Sequence, residues 1–295
     1  LSLQHWLLAT RPRTLPAAVA PVVLASALAA YMGHFRGDVL AATLAISLLL
    51  QIGTNLANDY FDFVKGADTE ERVGPIRVTQ SGLIPPHTVR NVMLLVFALS
   101  AIPGLYAVSI GGWPLLVLGA LSIVSGIAYT GGPYPLGYNG LGDLFVYLFF
   151  GLVAVGGTYF LHTGAVGPAA FVAGHIAGVF TTAIIVVNNL RDRHTDAKVG
   201  KNTLAVRWGE KATRRWYLAL LVAGFVGIIA LAALLRSPAP LGALLALPVA
   251  RSAYRNFMAR DGAALNPSLG ETARLLAVVC FLLALSFGVG ALAGF

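Results

Sequence analysis

The stretch Asn55 to Asp68 (NLANDYFDFVKGAD) sets three aspartates, Asp59, Asp62 and Asp68, directly after an apolar run, in a chain of which only 11% is charged. If the helix before them continues, Asn55, Asp59 and Asp62 fall at i, i+4 and i+7 and share one face. A second stretch, VVNNLRDRHTDAKVGKNTLAVRWG, repeats the plan. Asn188, Asp192 and Asp196 stand at i, i+4 and i+8, with Arg191, Arg193, Lys198 and Lys201 beside them. Paired carboxylates mixed with Lys and Arg suit a diphosphate bridged by Mg²⁺. That ion takes one or two carboxylates and completes its octahedron with water and phosphate oxygens, while the cations hold the remaining phosphate charge.

Other readings of the same residues stand beside this one. Acidic residues after a membrane span are often solvated loop, which is how Glu70 and Glu71 are read. Two matching stripes argue for function, because ionisable groups at membrane depth are costly. A cation-coupled transporter would also place aspartates in the membrane, and a scaffold without catalysis would need none of them. Each Lys or Arg answers equally to the rule that basic residues gather on the cytoplasmic side. Asn55, Asn58, Asn188 and Asn189 are candidates for orienting carboxylates or binding metal, and equally for hydrogen bonds between helices.

The elements that must carry these stripes follow from hydropathy. A 57% hydrophobic composition and a mean hydropathy of +0.78 place the chain in the polytopic membrane class. The net charge of +8 is assigned to basic cytoplasmic loops; nucleic acid is not expected as a partner, since no recognised module accompanies the charge. The lone Cys280 excludes an intrachain disulfide and is read as a buried structural thiol. Apolar runs predict nine spans, near residues 15–33, 39–57, 89–110, 114–130, 143–162, 168–188, 216–235, 240–257 and 272–293. With the N-terminus inside, the inner segments hold Arg11, Arg13, Lys65, Arg72, Arg77, Arg90, the block from Arg191 to Arg215, Arg251, Arg255, Arg260 and Arg274. The outer segments hold only Arg36 and Arg236. The expected architecture is therefore all-α: one integral-membrane domain over residues 1–295, with both stripes on the cytoplasmic face.

At these residues the sequence resembles the UbiA superfamily of intramembrane prenyltransferases, and within it the 1,4-dihydroxy-2-naphthoate branch. The resemblance runs from WLLATRPRTLPAAVAPV through NDYFDFVKGAD, RVGPIR and YTGGPYPLGYNGLGD to NNLRDRHTDAKVGKNTLAVRWG. The family's first motif, N-D-x-x-D-x-x-x-D, falls on Asn58, Asp59 and Asp62; its last position is Gly66, and Asp68 stands two residues on. The second motif, D-x-x-x-D, falls on Asp192 and Asp196. The resemblance implies a nine-helix bundle around a central cavity, with the two motifs facing each other at the cytoplasmic mouth. It also implies Mg²⁺-dependent transfer of an isoprenoid from a polyprenyl diphosphate to dihydroxynaphthoate, with loss of the acceptor's carboxylate, on the way to menaquinone or phylloquinone. A different aromatic or lipid acceptor is the alternative within the family. A bacterial cytoplasmic membrane is the expected location, with the lipid bilayer as surroundings.

On that footing Asp59, Asp62, Asp192 and Asp196 are the expected catalytic metal ligands, with Asp68 a further candidate. Lys65, Arg72, Arg77, Arg191, Lys198 and Lys201 are the candidate diphosphate cations, Arg72 and Arg77 foremost because RVGPIR would cap the site. Tyr60, Phe61, Tyr129, Tyr147 and Tyr159 are candidate π-faces for an allylic cation, with Tyr129 and Tyr60 preferred. Tyr134, Tyr138 and Asp143 are weaker candidates, in a Gly- and Pro-rich turn near the acceptor.

Overall fold

The computed structural model describes residues 2–68 and 73–293, and the regular structure among them is helical throughout. The α-helices are α1 (Leu3–Thr10), α2 (Leu15–Tyr31), α3 (Gly37–Val64), α4 (Pro86–Gly111), α5 (Trp113–Ala128) and α6 (Gly142–Val146). There follow α7 (Ala154–Thr163), α8 (Pro168–Lys198), α9 (Leu204–Leu235), α10 (Leu247–Ala259) and α11 (Asn266–Ala293). They make nine rods, because α1 runs into α2 through one 3-10 turn and α6 into α7 through the π-helical segment Tyr147–Val153. Seven rods are long and apolar enough to cross a membrane. Of the other two, α5 is shorter and α10 is preceded by the 3-10 segment Ala239–Ala246. The chain is an integral membrane protein.

The two helices with the acidic residues overrun the expected spans. α3 continues past residue 57 to Val64 and α8 past 188 to Lys198, and both stop in the same way. Gly66 (φ 66°) and Gly200 (φ 74°) adopt the left-handed conformation open to glycine. Ala67 N–H then donates to the Asp62 carbonyl at 2.8 Å, and Lys201 N–H to the Asp196 carbonyl at 2.9 Å. These are Schellman caps, and they set Asp62…Gly66 in register with Asp196…Gly200. α9 likewise begins before residue 216, at Leu204, where the Thr203 side chain accepts from Val206 N–H and Gly209 (φ 73°) lets the chain turn within the helix.

α8 is the most enclosed of the seven long rods. The main core cluster packs Ile176, Phe180 and Val187 of α8 against Leu24 and Leu28 of α2, Tyr217 and Leu221 of α9 and Leu276 of α11. The π segment approaches α8 so closely that a Cβ on Gly151 would lie 2.6 Å from both the Gly174 carbonyl oxygen and the Gly178 Cα. Small residues one turn apart allow this kind of backbone contact between membrane helices. A second cluster, with Ala57, Val78, Ile84, Met93 and Phe97, fastens the loop after α3 to α3 and α4. Cys280 is buried, as expected.

Candidate active site

Inside the bundle lies a cavity of about 970 Å³. One end is polar, walled by Asn58, Asp62, Asp68, Arg77, Asp192, Asp196 and Lys201; the other is walled by Ala107, Val108, Leu115, Leu116 and Leu161. Asp62 and Thr43 both line it and are separated by roughly 28 Å of α3, at about 1.5 Å rise per residue.

On α3 the cavity face is Gln51, Asn55, Asn58 and Asp62. Asp59 is not on it. At about 100° per residue it is rotated by roughly 60° from Asp62, and it is 1% exposed. Its two carboxylate oxygens accept the Val78 and Thr79 backbone N–H groups, both at 3.2 Å. Asp59, one of the expected metal ligands, here anchors the loop that carries Arg77. The glycine caps give the reason, because Asn58 and Asp62 are the counterparts of Asp192 and Asp196, with the members of each pair four residues apart and the second member four before the capping glycine.

Asp62 is held from two sides. Arg77 Nη2 donates to Oδ2 at 2.9 Å and the Tyr138 hydroxyl to Oδ1 at 2.8 Å. Arg77 Nε lies 3.4 Å from Asp68 Oδ2, so one buried guanidinium serves both acids. Arg77 Nη1 is buried with no hydrogen-bond partner among the described residues. Asp68, though displaced from the family position, is buried at the cavity wall.

The second stripe faces the cavity along its length, with Asn188, Asn189, Arg191, Asp192, Thr195 and Asp196 all lining it. Arg191 clamps Asp192 through both carboxylate oxygens (Nε to Oδ1 2.7 Å, Nη2 to Oδ2 2.6 Å) and donates to Asn188 Oδ1 at 2.9 Å. Its remaining nitrogen reaches Asn266 Oδ1 at 3.1 Å, while Asn266 Nδ2 donates to the Val73 carbonyl at 3.0 Å. Asn266 thereby ties α11 to both acidic regions. Nothing but its position before Pro267, six residues ahead of the last expected span, marked it in the sequence. Asp196 Oδ1 lies 3.4 Å from Lys201 Nζ, and its Oδ2 is buried with no hydrogen-bond partner among the described residues.

The other candidates divide. Lys65 is exposed, donates to the Gly132 carbonyl at 3.3 Å and stands 5.0 Å over the Tyr138 ring. Burial holds its ammonium below the usual lysine range, against the opposing pull of Asp62. The Tyr138 phenol is pushed up, first by burial and then by Asp62, so it remains a proton donor across the working range of pH. Lys198 is exposed and lies off the cavity. Arg72, with Glu70 and Glu71, falls outside the described residues.

Tyr129 lines the cavity, while Tyr60 and Phe61 pack into the second core cluster, Tyr147 bonds His175 and Tyr159 lies in the main core. The aromatic wall is instead Tyr129 with Phe145, Phe149 and Phe150. Phe145 and Phe149 stack with centroids 6.0 Å apart. The sequence does not single them out, because aromatics in an apolar run look like packing. Tyr134 points outward, exposed, and the Asp143 carboxylate is taken up by Trp216 Nε1 at 2.9 Å.

No group of three or more His, Cys, Asp or Glu close enough to hold a metal occurs among the described residues. An ion that arrives with its own phosphate and water ligands does not need one, since Mg²⁺ takes one or two carboxylates from a protein. The buried, unpartnered Oδ2 of Asp196 fits that requirement, as a lone pair held out of water without a donor.

Comparison with known proteins supplies the family and the fold. The UbiA prenyltransferase family matches residues 18–277. The chain is 39% identical over 293 residues to the 1,4-dihydroxy-2-naphthoate octaprenyltransferase of Mycobacterium tuberculosis, covering 97% of this chain and 98% of that one. It is 41% identical over 229 residues to the enzyme of the same name from Escherichia coli, covering 76% and 74%. Its fold is similar to that of a UbiA homolog from Archaeoglobus fulgidus bound to GPP and Mg²⁺, with a TM-score of 0.66, 14% identity and coverage of 95% and 99%.

Proposed function

The chain belongs to the UbiA prenyltransferase family, and from that premise we propose that it transfers a polyprenyl chain from its diphosphate to 1,4-dihydroxy-2-naphthoate in menaquinone biosynthesis. The observation that carries the reading is one cavity with carboxylates and buried arginines at one end and an apolar wall at the other. A donor with a diphosphate head and a hydrocarbon tail needs both ends. The acceptor is supported by the two bacterial relatives, both of which are dihydroxynaphthoate octaprenyltransferases by name.

Asp62, Asp192 and Asp196, with Asp68 beside them, would hold Mg²⁺ on the diphosphate, in keeping with the archaeal UbiA homolog bound to GPP and Mg²⁺. When bound, the ion neutralises charge growing on the leaving group. Arg77, through its unpartnered Nη1, and Lys201 take the phosphate oxygens that the metal leaves uncovered. The allylic C–O bond breaks with its electron pair going to the diphosphate, and the Tyr129, Phe145 and Phe149 rings face the resulting cation. Their wall keeps water from capturing it. A π pair of the acceptor ring forms the new C–C bond at the carbon that bears the carboxylate; the ring–carboxylate bond then breaks, carbon dioxide leaves, and the pair from the broken bond restores the aromatic ring. The mouth opens to the cytoplasm, on the side where the basic segments gather.

Purified protein supplied with Mg²⁺ and a polyprenyl diphosphate is expected to prenylate dihydroxynaphthoate and release carbon dioxide in equal amount. Product from 4-hydroxybenzoate and none from the naphthoate would overturn the acceptor.

A further inference from the structure

We propose that Tyr138 is the positioning residue that joins the two carboxylate half-sites, its phenol setting the orientation in which Asp62 meets a magnesium diphosphate. The inference rests on the donor reading above. Tyr138, in the loop between α5 and α6, bonds to the chain on both sides, at the first stripe and just beyond the second. Its hydroxyl donates to Asp62 Oδ1 at 2.8 Å, on the first stripe. Its carbonyl accepts Asn202 N–H at 2.9 Å, just beyond the second stripe. Arg207 doubles that attachment by donating to the carbonyls of Asn139 and Asn202, both at 3.0 Å.

The ring adds a second link. Lys65 Nζ stands 5.0 Å and Lys201 Nζ 5.5 Å from its centroid, and Lys201 is also 3.4 Å from Asp196. One lysine from each half-site is therefore parked on the same ring, at the rim where phosphate oxygens would enter.

The hydroxyl need not leave when metal enters. A carboxylate offers about four lone-pair sites, and Tyr138 and Arg77 take one on each oxygen of Asp62. With both donors in place the carboxylate cannot swing, and a lone pair remains for the ion. Partners of this kind, which touch a ligand residue and not the metal, typically contribute about 10–100-fold to metal affinity.

Tyr138→Phe tests the hydroxyl alone, since it keeps the ring under both lysines and the backbone bond to Asn202. Calorimetric titration of Mg²⁺ into protein saturated with an unreactive polyprenyl thiodiphosphate is expected to give a Kd raised about 10–100-fold. The KM for the naphthoate should be unchanged, and the ligand-free melting temperature nearly so. Tyr138→Ala, which also frees the lysines, should raise the Kd of the thiodiphosphate itself beyond the Phe variant. An unchanged Mg²⁺ Kd in Tyr138→Phe overturns the inference, as does a ligand-free melting temperature that falls while the Mg²⁺ Kd stays put. A wild type that binds no magnesium thiodiphosphate overturns the donor reading, and this inference with it.

Discussion

Asp59 and Asp62 sit three residues apart on α3 and are put to different uses. Asp62 faces the cavity between Arg77 and Tyr138, whereas Asp59 turns both oxygens to the backbone of Val78 and Thr79. Asp192→Ala is expected to lower kcat by about 10²–10³, the scale of losing one preplaced stabiliser of transition-state charge. Product formation under saturating Mg²⁺ measures it. Asp59→Ala should behave otherwise. It leaves two buried N–H groups unsatisfied at about 1–3 kcal/mol each, so the melting temperature falls while the Mg²⁺ concentration for half-maximal rate in the folded fraction stays near wild type. A large rise in that concentration would return Asp59 to the metal set. The residue types were legible in the sequence, and so was the second stripe. What was not legible was a rotation of roughly 60° about the helix, because the spacing Asn55, Asp59, Asp62 is as helical as Gln51, Asn55, Asn58, Asp62. Only the loop that returns to cap Asp59 separates the two.

At the scale of elements, the site depends on how α8 is seated. The π segment Tyr147–Val153 touches it through Gly151, Gly174 and Gly178. Gly151→Ala would place a methyl 2.6 Å from backbone atoms that cannot rotate away, and overpacking of this kind costs about 1–3 kcal/mol. A lowered melting temperature, together with a raised Kd for a magnesium thiodiphosphate as α8 shifts, is the expected outcome. Arg191→Met removes the cation that clamps Asp192 and links α8 to α11 through Asn266. Breaking a buried pair from one side costs about 3–5 kcal/mol, so this variant should be less stable than Asp192→Asn in denaturant or thermal unfolding. The nine rods were readable from apolar runs, and their true ends were not. α3 and α8 stop at left-handed glycines, which hydropathy does not register, and the matching caps at Gly66 and Gly200 revealed which residues of the two stripes correspond.

For the whole molecule, removal of divalent ions by EDTA is expected to abolish turnover and Mg²⁺ to restore it; activity undiminished by EDTA would remove the metal from the mechanism. Orientation can be checked because the native Cys280 is buried and contributes little background. An impermeant maleimide should label His34→Cys in intact cells, and Lys198→Cys only after the membrane is opened; the reverse pattern would turn the mouth outward. By itself the sequence determined a helical membrane bundle, two acidic stripes rich in basic neighbours and the chemistry such stripes suit, because hydropathy and residue type are local properties of the chain. Tertiary structure alone decided which acids share the cavity, which arginine neutralises which carboxylate, and that Tyr138 and Asn266 bind the two halves together. Those are contacts between residues up to 193 positions apart, and no periodicity within one helix encodes them.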